Sequence, residues 1–165
     1  MAITPHAGQP RKVTRFTDRL TKSAARNIFY GGSIFFFVVF AGLVAHSHYH
    51  IRTVSTDESK LTPSVVAGKH VWEKHSCINC HTILGEGAYF APELGNVWVR
   101  YGGRDDPDSA REALKAWIQA MPSGIEGRRQ MPQFNLTDQE LDQLIDFLQW
   151  TSTINTQGWP PTPAG

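Results

Sequence analysis

The stretch Ser76–Asn96 reads SCINCHTILGEGAYFAPELGN. Its first half, Cys77-Ile78-Asn79-Cys80-His81, is C-x-x-C-H, the attachment pattern of c-type haem. The residue types follow from the chemistry. Two thiols add across the two vinyl groups of one porphyrin and become thioethers. The two intervening residues match the spacing of those vinyls, and the adjacent histidine supplies an imidazole to the iron. Cys77 and Cys80 are the only two cysteines in the chain, so no disulfide competes for them. A thioredoxin-like dithiol needs a βαβ setting, and no segment shows sustained strand alternation. Zinc needs two further ligands close by, for which His70 and His75 form only a weak pattern. Three glycines, Glu86, Glu93, Tyr89 and Phe90 then follow directly, and haem attachment alone does not ask for them.

Around this stretch the patterning is helical. Pro63 suits a first helical turn, and Ser64–His75 places Val65, Gly68, Val71 and Trp72 on one face. Asp108–Met121 carries Ala110, Leu114, Trp117 and Met121 at helical spacing, with Gly124 beyond as a stop. Thr137-Asp138-Gln139-Glu140 is a capping box, opening a helix whose apolar face is Leu141, Leu144, Ile145 and Leu148. Roughly 90 residues make a thin core, which a large buried cofactor would complete. The iron's sixth position suits a methionine thioether. Met1 is remote, leaving Met121 and Met131. Met121 continues an apolar helix face and reads as packing. Met131 sits in the polar loop GRRQMPQFN and reads as the ligand. Two filled axial positions favour electron transfer over gas binding.

The rest of the chain sets the location. Of its 165 residues, 1–26 hold Arg11, Lys12, Arg15, Arg19, Lys22 and Arg26 against Asp18, net +5, leaving −4 on the remainder. A basic arm suits nucleic acid or a membrane. Here it runs into IFYGGSIFFFVVFAGLVA, residues 28–45, without charge or proline. With its flanks this is long enough to cross a bilayer core, so a membrane is expected and nucleic acid is not. Leu43-Val44-Ala45 is a poor cleavage site, so the segment reads as a retained anchor. The preceding basic residues place the N-terminus in the cytoplasm and the haem domain outside the inner membrane, which is the periplasm in a Gram-negative bacterium. His46, His48 and His50 alternate and share no helix face; they read as interfacial polar residues. The expected organisation is a basic tail (1–26), an anchor helix (27–48), a linker (49–60), a mono-haem domain (61–152) and a proline-rich tail (153–165).

Four stretches together carry a family resemblance: ARNIFYGGSIFF, GKHVWEKHSCINCHTILGEGAYFAPELGNV, GRRQMPQFNLT and the closing WPP. Over about Ser23–Pro161 the chain resembles the cytochrome c subunits of bacterial cytochrome-c-dependent nitric oxide reductases. The resemblance implies an all-α class I cytochrome c domain behind one transmembrane helix. It implies haem c held by Cys77 and Cys80, with His81 and Met131 on the iron. It implies a large polytopic catalytic partner with two b-type haems and a non-haem iron, which reduces two NO to N2O and water. A soluble cytochrome c or cupredoxin would donate the electrons, and this chain would hold no catalytic centre. In the family the GEGAYF loop meets the large subunit, with a calcium ion held partly at positions matching Gly87 and Tyr89. Glycine allows close backbone approach, and carbonyl oxygens suit a hard cation. Glu86 and Glu93 stand open between interface groups and solvated acids. Arg128 and Arg129 stand open between haem propionate partners and a solvated turn. The rivals are a free-standing anchored shuttle, a haem c subunit of a terminal oxidase, a thiol–disulfide enzyme and a haem gas sensor.

Overall fold

The architecture is that of a computed structural model, which describes residues 20–124 and 126–159. Most of the basic tail and the last six residues of the proline-rich tail therefore lie outside the described residues. The chain divides into two compact units, Met1–Ser47 and His48–Gly165.

The first helix, α1 (Lys22–His50), has 29 residues, about 43 Å at 1.5 Å per residue. It starts five residues before the expected anchor. The Thr21 hydroxyl accepts from the Ala24 N–H at 3.2 Å, which caps the first turn and takes Lys22 and Arg26 into the helix. None of its residues is buried within the structure, and it is long and apolar enough to cross a membrane. The expected linker is itself wound: a π-helical turn (Ile51–Ser55) and a 3-10 turn (Glu58–Lys60). Arg52 joins the two by a forked pair to Glu58 at 2.5 and 2.9 Å.

The second unit is built from short helices with explicit caps. In α2 (Pro63–Lys74), the Thr62 hydroxyl accepts from the Val65 N–H. A 3-10 turn (Cys77–Asn79) and the two-residue strands β1 (Thr82–Ile83) and β2 (Glu86–Gly87) follow. The strands pair antiparallel, Thr82 opposite Gly87. Next come α3 (Val97–Arg100) and α4 (Pro107–Gln119), the latter capped by Asp106. The last helix, α5 (Asp138–Thr151), opens with the capping box at Thr137 and Glu140 that the sequence predicts.

The core is the crossing of α2 and α5. Val65, Val71 and Trp72 pack with Leu141, Leu144, Ile145 and Leu148, and Ala110, Leu114 and Ile118 of α4 join them. Leu141 and Ile145 are fully enclosed, each contributing about 1.5–3 kcal/mol by burial. Gly68 sets how close the helices come, since a Cβ there would lie 1.9 Å from the Gln143 carbonyl oxygen. On the outside, Arg111 binds Asp142 and Asp146, and Ser64 donates to Asp146, so one guanidinium links α4 to α5 and, through Asp146, to the start of α2.

Two helical expectations need correction. The fourth helix stops at Gln119 rather than Met121. Its core face uses Ile118, while Trp117 is 44 % exposed. The cause lies in what Trp117 faces, described next.

Candidate haem site

The C-x-x-C-H turn is shaped by backbone bonds closing on Cys77. Its carbonyl accepts from the N–H groups of Cys80 (3.1 Å) and His81 (2.9 Å). Both cysteines are free and partly buried. Burial pushes the Cys77 thiol up to about 11. At neutral pH that sulfur is a neutral thiol, ill suited to a redox dithiol that needs a ready thiolate. The only described strands are the two-residue pair, not the βαβ setting of such enzymes.

The loop after the motif folds back over it. Ala88 donates to the Ile78 carbonyl, and Phe90 and Ala91 both donate to the Cys80 carbonyl, at 2.8–3.2 Å. Gly87 makes this possible: its φ is +126°, and a Cβ there would lie 2.3 Å from the His81 carbonyl oxygen. One role of the glycines is therefore internal, since the loop satisfies carbonyls that the tight turn leaves open.

His81 is buried, and its Nδ1 lies 2.8 Å from the Pro92 carbonyl oxygen. A carbonyl only accepts, so Nδ1 carries the proton and Nε2 keeps its lone pair for a metal. Burial lowers the pKa of the ring, with the Pro92 bond opposing, which favours the neutral form that ligates iron.

Two cavities, of about 180 and 410 Å3, share Cys77, His81, Pro92, Trp117 and Met131 as walls. Together they fall in the roughly 300–1,000 Å3 range of cofactor sites. Leu94, Val97, Leu114 and Leu144 line the smaller one, an apolar wall suited to a porphyrin. Cys80 and His75 line the larger. The His75 Nε2 there is buried with no hydrogen-bond partner among the described residues, and its ring meets Phe134 edge-on. Trp117 faces this crevice, which accounts for its exposure. Two cysteines, an oriented histidine and a methionine around one apolar crevice fit a covalently held haem.

The remaining sequence candidates fall as follows. Met131 packs against the core edge and lines both cavities, whereas Met121 is buried and lines neither. Tyr89 is 81 % exposed and donates to the Gly85 carbonyl at 3.0 Å. Arg129 lies 4.5 Å from the centroid of the Phe90 ring and lines the larger cavity. Arg128 is exposed. Glu86 is exposed, but Glu93 is buried and accepts from backbone N–H groups. Sequence reasoning missed Pro92, Trp117 and Arg100. The acceptor on Pro92 is a backbone atom that no side-chain pattern reveals. Arg100 lines the smaller cavity and donates to the Glu93 carbonyl at 2.6 Å, and burial lowers its pKa while Glu93 opposes. A lone cation in the apolar run VWVRY was its available signal.

The family model for cytochrome c matches residues 65–152. The chain is 66% identical to the nitric oxide reductase C subunit of Paracoccus denitrificans over 149 residues, covering 90% of this chain and 99% of that protein. It is 52% identical, over the same shares, to the nitric oxide reductase C subunit of Stutzerimonas stutzeri. Cytochrome c oxidase subunit 2 of Alkalihalophilus pseudofirmus matches at 29% over 50% of this chain and 24% of that protein.

Proposed function

The chain belongs to the family of nitric oxide reductase C subunits, and from that premise we propose how its residues serve the transfer of electrons. It is the electron-transfer cytochrome c subunit of the reductase, and its family implies a covalent haem c and a catalytic partner subunit. When bound, the haem supplies a one-electron carrier whose iron alternates between ferric and ferrous. Cys77 and Cys80 would hold it by thioethers, and His81 Nε2 and Met131 Sδ would ligate its iron. His81 keeps its ligating tautomer through Pro92, and the apolar crevice excludes water.

In this reading the chain accepts electrons singly from a soluble periplasmic cytochrome c or cupredoxin. It passes them to a polytopic subunit with two b-type haems and a non-haem iron, where two NO, two electrons and two protons become N2O and water. The catalytic chemistry belongs to that partner. The helix α1 anchors the chain in the inner membrane, with the basic residues 1–26 cytoplasmic and the haem domain periplasmic. The loop Gly85–Phe90 faces the partner, and Gly87 and Tyr89 would hold part of the shell of a calcium ion at that junction. Two residues fall short of the roughly 6–8 oxygens that calcium takes, so the partner would supply most of the rest. The exposure of Tyr89 supports this placement.

The observation that carries the reading is the meeting of Cys77, Cys80, His81 and Met131 on one crevice. Its test is a pyridine haemochrome analysis of the tagged protein, extracted gently from cells making all subunits. The expected result is haem b with haem c at about two to one. Haem c alone would mean a solitary anchored shuttle.

A further inference from the structure

We propose that Glu93 is a positioning residue for the axial histidine: its buried carboxylate clasps the two ends of the loop and thereby holds the Pro92 carbonyl on His81 Nδ1. Glu93 is 7 % exposed. Its Oε1 accepts from the N–H groups of Leu84 and Gly95, both at 2.8 Å, and its Oε2 from Gly85 at 3.4 Å. The solvated reading open from the sequence does not survive, because the side chain is buried and its oxygens turn inward onto backbone. Three backbone donors on one buried carboxylate make a closed arrangement, the condition under which burying such a group is tolerated.

The clasp matters because of its neighbour. Pro92 has no N–H of its own to anchor it, yet its carbonyl is the group that orients His81. The direction of that carbonyl depends on the Pro92–Glu93 peptide. Glu93 fixes it from both sides, by its side chain onto Leu84 and Gly95 and by its own carbonyl accepting from Arg100. A histidine whose far nitrogen donates to a well-held acceptor is a stronger electron donor to its metal, which favours ferric iron. Loosening the clasp should therefore favour the reduced form. The inference rests on His81 being the iron ligand.

The test is a spectropotentiometric titration of the haem-loaded full-length chain in detergent, for three variants. Glu93→Gln keeps an oxygen at the Oε1 position, where both short bonds are made, and removes the charge. Glu93→Ala removes the clasp. Gly95→Ala keeps the charge but places a methyl 2.8 Å from Glu93 Oε1 and 3.2 Å from Leu84 Cδ2. Glu93→Ala and Gly95→Ala are expected to raise the ratio of reduced to oxidised haem at fixed potential by at least threefold, with Glu93→Gln within twofold of wild type. Equal shifts in the Gln and Ala variants would assign the effect to charge and overturn the proposal. So would no shift, or a shift toward the oxidised form. If Glu93→Ala fails to accumulate, the contrast of Gly95→Ala with Glu93→Gln decides alone. Failure of the underlying ligand reading is separately visible, since the wild-type spectrum would then lack histidine–methionine ligation.

Discussion

The two methionines of the haem domain illustrate what a single residue's surroundings decide. Met131 reaches the crevice from an exposed loop, while Met121 is covered and its carbonyl accepts from Gln133 at 2.9 Å. Met131→Ala should leave the haem attached, because Cys77 and Cys80 are untouched. It should open the sixth position, so the reduced protein binds CO and the potential falls. Met121→Ala should destabilise the fold by about 2–5 kcal/mol, as buried methionine truncations do, without CO binding. Thermal unfolding and CO difference spectra on the pair would check both outcomes, and CO binding by only the Met121 variant would reverse the assignment. At this scale the proposed covalent site can be read from the sequence because C-x-x-C-H is dictated by the cofactor's own geometry. Glu93 was not, since an acid in a loop looks the same from the sequence whether it meets water or three backbone donors.

Between elements, the α2–α5 crossing and its polar staple make separable demands. Gly68→Ala puts a methyl against the Gln143 carbonyl and 2.8 Å from Phe147 Cβ. The helices must part, at about 1–3 kcal/mol or more for an overpacked contact, read as a lowered Tm. The staple is Lys74 Nζ to Glu140 Oε1 at 2.7 Å. It holds the Glu140 carboxyl down to about 2 from its usual 4.5, with the Lys74 bond as the largest cause and the Thr137 bonds next. A carboxyl depressed in the folded state stabilises above its unfolded value, and that stabilisation fades as pH falls from about 4.5 toward 2. Lys74→Met should therefore be less stable than wild type at pH 7, and the two should converge near pH 2 in chemical denaturation. A gap that stays constant with pH would exclude this linkage. Helix α5 was readable because its capping box and apolar face agree. The face of α4 was misassigned at Trp117 because helical periodicity reports an apolar face without saying whether core or cofactor crevice lies opposite.

Across the whole molecule, charge and hydropathy are segregated along the chain, and the proposed orientation rests on that order. Six of the 16 basic residues precede residue 27, two of them in the first turns of α1, and residues 28–45 of that helix then run without a charge. Lysine and arginine beside a membrane helix are held on the cytoplasmic side. In the proposed topology the domain bearing Cys77 and Cys80 is therefore delivered to the opposite face, where c-type haem is attached. Covalent haem thus becomes a reporter of orientation. Replacing Arg11, Lys12, Arg15, Arg19, Lys22 and Arg26 together by glutamine leaves every residue of the haem domain unchanged. The expected outcome is loss of more than half of the haem-stained band on a denaturing gel, with the chain still found in membranes. Protease added to spheroplasts should then cut less of the domain after His50 than in wild type. If haem attachment and protease access both stay at wild-type levels, the basic tail does not set the orientation. The apolar helix and the folded domain behind it would then be sufficient, and the role of the first 26 residues would have to be sought on the cytoplasmic side itself.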